Sequence, residues 1–129
     1  IEQYGKFNPE LGRRGTTLLG GEEKELYGRL VAGGEVVYYL PTAYIEHIIP
    51  AAKLTREYFE AVCHRIGQSE RIRTLELGRK AYHRRWLDEV VKWCATLVLC
   101  LLHTLSLCPS KARYLWIMRR QISRGLVGK

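Results

Sequence analysis

From Trp93 to Cys108 the chain runs sixteen residues without a formally charged side chain, and Pro109 ends the run. A stretch this apolar has to be removed from water, so it limits the fold more than any other part of the sequence. As a helix at ~1.5 Å per residue it spans about 24 Å, short of the ~30 Å hydrocarbon thickness of a bilayer. Adding Val90 and Val91 extends it to nineteen residues but admits Lys92, whose long stem can carry its charge back to an interface. Three placements stay open: a buried core helix, a re-entrant or interfacial helix, and a short transmembrane helix.

The flanks favour contact with a membrane. Arg79, Lys80, Arg84 and Arg85 precede the run, and Lys111, Arg113, Arg119, Arg120 and Arg124 follow it, with Tyr82, Trp86, Trp93, Tyr114 and Trp116 interleaved. Cations mixed with Trp and Tyr at both ends of an apolar helix suit a headgroup layer, whereas a lone crossing concentrates its cations on the cytoplasmic side. An interfacial hairpin, or a helix paired with a span elsewhere in a longer protein, satisfies both facts. The net charge of +8 is uneven: residues 1–70 carry 8 Lys/Arg against 10 Asp/Glu, and residues 71–129 carry 13 against 3. An anionic membrane surface is therefore the expected partner of the second half. Nucleic acid is not expected, because the apolar run would be wasted on phosphate.

At 129 residues and 47% hydrophobic content the chain can build one domain with a core. Cys63, Cys94, Cys100 and Cys108 lack the close pairing of a zinc knuckle or redox motif. Cys94, Cys100 and Cys108 lie in the apolar run and are expected to behave there as small buried hydrophobes, in a reducing compartment. With no Met at position 1 and no secretory-type start, the chain is expected to be a piece of something longer.

The first half is organised around Gly20-Gly21-Glu22-Glu23-Lys24-Glu25-Leu26. A glycine pair turns the chain sharply, and carboxylates in the first turn of the following helix are favoured by its dipole and free N–H groups. Glu22 and Glu23 are then either a well-capped surface helix start or a carboxylate held at a turn as a general base. Upstream, Asn8-Pro9 and Gly12-Arg13-Arg14-Gly15 read as loop, where Arg13 and Arg14 either grip a phosphate or stand solvated.

Leu26 and Leu30, with Tyr27 and Val31 beside them, predict a helix over 22–32, which Gly33-Gly34 stops. Glu35–Leu40, rich in Val and Tyr, and Ala43–Ile49 predict two short extended strands ended by Pro41 and Pro50. His47 sits on the second, as a core-edge histidine or a ligand near a strand end. A helix over 55–68 is predicted to bury Leu54, Tyr58, Val62 and Ile66, with Gly67 and Ser69 closing it. Arg71–Arg85 is predicted helical with a break near Gly78.

Taken in order, residues 12–69 resemble the C-terminal part of the catalytic domain of family 2 glycosyltransferases, inverting enzymes of the GT-A fold. The resemblance is carried by Gly20-Gly21-Glu22-Glu23-x-Glu25-Leu26-x-x-Arg29-Leu30, by Gly34-x-x-Val37-x-Tyr39-x-Pro41-x-Ala43, and by His47. Lys53-Leu54-Thr55 with Tyr58-Phe59, then Gly67 and Ser69, complete it. It implies that Glu23 is the base for an acceptor hydroxyl, with Glu22 its neighbour. It also implies that His47 lies near the sugar-nucleotide diphosphate or its metal, and that Lys53 or Arg56 meets phosphate.

The nucleotide-binding half of such an enzyme, with its Asp-x-Asp-type metal motif, does not occur here, and the single Asp is Asp88. The expected fold is therefore α+β and mostly helical: residues 1–70 an acceptor-side portion of a GT-A domain, residues 71–129 a basic, apolar helical membrane-associating tail. The implied partners are a nucleotide-sugar donor and a glycan or lipid-linked acceptor, with a divalent metal (Mg or Mn) in the intact enzyme. The implied location is the cytoplasmic face of a membrane. The competing expectation is a non-enzymatic, membrane-peripheral helical interaction module.

Overall fold

A computed structural model describes residues 3–13, 15 and 18–129. Four α-helices carry the fold: α1 (Glu22–Ala32), α2 (Arg56–Glu76), α3 (Arg79–Leu105) and α4 (Pro109–Val127), with a short 3₁₀ turn at Ala51–Lys53. Among the described residues there is no β-strand, which corrects the expected α+β class to all-helical. Glu35–Leu40 and Ala43–Ile49 are irregular and exposed, Tyr39 and Ile45 among the most exposed residues of the chain. Their β-branched and aromatic composition favours a pleated surface only where a neighbouring strand supplies the other half of the ladder.

Helices α2, α3 and α4 form an up–down–up bundle. Phe59 meets the Tyr114 ring edge-on, Gln121 donates to Glu60 at 2.8 Å, and Gly67 lies against Ile122 and Leu126, so α2 and α4 run parallel. Antiparallel to both, α3 places its Tyr82 hydroxyl on the Leu126 carbonyl at 2.9 Å and Cys100 near the Ala112 carbonyl at 3.3 Å. The most extensive interface is α2 with α4. It closes through glycine: a Cβ on Gly67 would fall 2.9 Å from the Leu126 nitrogen and closer still to the Ile122 carbonyl oxygen. Gly125 opposes it, with the His64 carbonyl and the Gln68 nitrogen against its own open side.

This explains a second correction. α2 does not close at Gly67 and Ser69 but continues to Glu76, because Gly67 is occupied in packing rather than in ending the helix. Its buried face is Cys63, Gly67, Ser69, Glu70 and Thr74, while Leu54 and Ile66, predicted to be inside, are exposed. Thr55 caps α2 by accepting from the Tyr58 N–H, as its sequence position allows. The break at Gly78 is where it was predicted, and Pro109 opens α4, a position where its missing N–H costs nothing.

Helix α3 is inverted relative to an ordinary bundle helix. At about 100° per residue, Tyr82, Arg85, Glu89, Trp93, Thr96 and Cys100 share one face, and Leu87, Val91, Cys94, Val98, Leu101 and Leu105 share the opposite one. The polar set faces α2 and α4: Glu89 is 0%, Thr96 3% and Arg85 8% exposed. All six residues of the apolar set are exposed, Leu105 to 71%. The apolar run is thus not a buried core helix, and none of its cysteines is the buried hydrophobe expected of it: Cys94 is exposed and Cys100 and Cys108 are half-buried. No helix among the described residues is long and apolar enough to cross a membrane.

Candidate functional site

Gly21 enters α1 with φ +100°, a left-handed conformation that side chains rarely adopt and glycine reaches freely. Glu22, Glu23 and Glu25 then occupy the first turn, where the helix dipole favours negative charge. The turn is braced from α2: the Gly20 N–H donates to Ser69 Oγ at 3.2 Å, and Gly21 lies against the Ser69 side chain. Ser69 is held in turn by donating to the Arg65 carbonyl at 2.9 Å. One residue on, Lys24 pairs with Glu70 at 2.6 Å. The N-terminal loop straps the far end of α1, with Arg29 donating to the Tyr4 and Lys6 carbonyls and Tyr4 donating to Gly33 and Glu35.

The two acidic side chains differ in setting. Glu22 is half-buried with its carboxyl beside Gly12, whereas Glu23 is exposed. Neither makes a hydrogen bond or ion pair with His47 among the described residues, and His47 lies on the exposed segment before Pro50. Lys53 is half-buried at the end of the 3₁₀ turn. Arg56 is engaged with Glu60 at 2.7 Å, which holds the Glu60 carboxyl below its ordinary value. Arg13 is exposed, and Arg14 lies outside the described residues. The structure therefore places Glu22 and Glu23 directly after the glycine pair that Ser69 braces, and leaves His47, Lys53, Arg56 and Arg13 apart from one another in hydrogen bonding.

A hollow of about 370 Å³ opens between α1 and the end of α2, lined by Lys24, Glu25, Gly28, Arg29, Arg73 and Glu76. No protein-family model, curated protein or solved structure matches the chain. Among the described residues no three His, Cys, Asp or Glu side chains, His47 included, are placed together to hold a metal ion.

Behind the brace lies a charge network that the sequence reading missed. Glu70 accepts from Lys24, from Arg73 at 2.9 Å and from Arg85 at 3.3 Å. Burial pushes the Glu70 carboxyl up, but the hydrogen bonds and positive charge of Arg73 and Lys24 outweigh it and hold it down to about 2. Arg85 continues to Glu89 at 2.8 Å, and Glu89 also accepts from Arg119 at 3.1 Å and Ser123 at 3.0 Å. Burial likewise opposes the charge on Glu89, and the hydrogen bonds from Arg85 and Arg119 keep it ionised. Trp93 Nε1 donates to Ser123 at 2.9 Å, and Arg119 reaches Thr96 at 3.4 Å. The available signal was the seven-residue spacing of Glu89 and Thr96 with Arg85 one turn before, opposite the leucines of α3.

Proposed function

We propose that the chain is the acceptor-side part of a family 2 inverting glycosyltransferase working at the cytoplasmic face of a membrane, with Glu23 as the base and Glu22 as its neighbour. The observation that carries this reading is the Gly20 to Ser69 hydrogen bond. It joins two stretches of the sequence resemblance that lie 49 residues apart, and gives the glycine bend before the acidic pair a fixed support. The reading rests on that junction and on the order of the motifs, and it carries no strand content.

In the proposed step the carboxylate of Glu23 takes the proton of an acceptor hydroxyl as that oxygen attacks the anomeric carbon of a nucleotide sugar. The bond from that carbon to the diphosphate breaks, the electron pair leaves with the nucleoside diphosphate, and the anomeric configuration inverts. Glu23 is exposed and unpaired among the described residues, so an acceptor can reach it without displacing an ion pair. The test is Glu23→Gln in the complete enzyme, read as nucleoside diphosphate released from a panel of nucleotide sugars. Turnover is expected to fall by ~10² to 10⁴ with nucleotide-sugar binding nearly intact, as loss of a general base requires. Unchanged turnover, with Glu22→Gln equally silent, would reject the assignment.

The exposed apolar face of α3 favours a second reading, a membrane-peripheral interaction module in which Glu22 and Glu23 only start a helix. Vesicle binding by a protein with no transfer activity, indifferent to Glu23→Gln, separates the two.

A further inference from the structure

We infer that the outward face of α3 is a membrane-docking surface, on which the helix lies lengthwise at the boundary between the headgroups and acyl chains of an anionic bilayer. The face is built by Leu87, Val91, Cys94, Val98, Leu101 and Leu105, alternately four and three residues apart, and it continues onto Leu107 at the turn into α4, 89% exposed. From Leu87 to Leu105 the stripe is about 27 Å long, too regular and too extended to be scattered surface hydrophobes. The opposite face of the same helix is fastened inward by Arg85, Glu89 and Thr96. α3 therefore cannot roll its leucines into the bundle without breaking the buried charge network.

Charge selects the occupant. Arg79, Lys80, Arg84 and Lys92 are exposed along α3, and Lys111 and Arg113 are exposed just beyond the turn, against one exposed acid on α3, Asp88. Lys80 and Arg84 continue the apolar face toward its N-terminal end, where they would sit at headgroup depth. A second copy of α3 would bring the same excess of cations to the contact with only Asp88 to answer it. An anionic bilayer supplies both the apolar phase and the counter-charge. This surface follows from the geometry of α3 and does not depend on sugar transfer, although it gives that reading's membrane placement a physical footing.

The experiment sediments the full chain with phosphatidylcholine vesicles, with and without phosphatidylglycerol, in the absence of donor and acceptor. Wild type is expected to bind the anionic vesicles and to remain partly bound in ~1 M salt, since screening removes the charge attraction and leaves apolar burial. Val98→Lys and Leu101→Lys raise the positive charge, yet each is expected to cut partitioning at least tenfold with an unchanged melting temperature, because both side chains point away from the bundle. Lys80→Gln with Arg84→Gln is expected to reduce the preference for phosphatidylglycerol. Equal or tighter binding by Leu101→Lys, or complete release of wild type by salt, would overturn apolar docking. Absence of vesicle binding together with a concentration-dependent dimer that Leu101→Lys dissolves would assign the face to a second copy instead.

Discussion

Alanine at Gly67 and at Gly28 is expected to move stability in opposite directions. Both glycines lie inside helices, where replacing glycine by alanine is intrinsically favourable by about 1 kcal/mol. At Gly28, on α1, an added Cβ meets nothing within 4 Å, so the gain is expected in full, raising the melting temperature by roughly 3–5 °C for a domain of this size. At Gly67 the same atom falls 2.9 Å from the Leu126 nitrogen and nearer to the Ile122 carbonyl, against 3.4–4 Å for ordinary contact. The obstacle is backbone on both counts, so no rotamer change relieves it, and α2 and α4 must separate by about an ångström or more at their closest approach, which the Ile122 carbonyl sets. Overpacking of this kind costs about 1–3 kcal/mol or more. Because separation also loosens Cys63, Ile122 and Leu126, the upper part of that range applies, for a net loss of about 2 kcal/mol and a fall of roughly 6–10 °C. Gly125→Ala should behave like Gly67→Ala, its Cβ standing 2.8 Å from the Gln68 nitrogen. Thermal melts followed by circular dichroism decide it. Stabilisation by Gly67→Ala comparable to that of Gly28→Ala would refute the glycine-to-glycine crossing of α2 and α4.

Glu89→Gln leaves Arg85 and Arg119 buried without their shared counter-charge and is expected to destabilise by about 3 kcal/mol in urea unfolding, whereas replacing Glu89, Arg85 and Arg119 together by Met should come near neutrality. A single-variant loss under ~0.5 kcal/mol would show that the network carries no strain of burial. Acid should unfold the protein in a defined window. Glu70 and Glu89 are both depressed in the folded state, so their stabilisation is complete above the ordinary carboxylate value of 4.5 and is lost as pH falls below it, for Glu70 toward about 2. Glu70 alone accounts for at most about 3 kcal/mol of this, and urea midpoints that stay flat from about pH 5 to pH 2.5 would contradict the linkage.

Local signals were legible wherever a single residue type decides a single local outcome. The start of α1 after Gly20-Gly21, its stop at Gly33-Gly34 and the break at Gly78 all follow from backbone constraints that travel with the residue. The strands were misread because strand propensity is conditional: Val36, Val37, Tyr38 and Tyr39 favour a ladder only if a neighbour provides one. Gly67 was misread as a stop because glycine breaks a helix or admits a close neighbour, and only the neighbour distinguishes the two. Of the candidate site residues, the sequence placed Glu22 and Glu23 in their first turn, but the Ser69 hydroxyl that braces the bend before them lies on another helix, 49 residues from Gly20.

The sequence by itself determined where α1 begins and ends, that the chain breaks at Gly78, and that α3 carries two chemically opposite faces, since a periodicity of 3.6 residues is intrinsic to the helix. Which of those faces points inward was settled only by tertiary structure. Arg119 and Ser123 on α4 and Glu70 on α2 hold the polar face of α3 against them, because a charge buried among partners is tolerated and one buried alone is not. With that face inside, Leu87 to Leu105 are left outside.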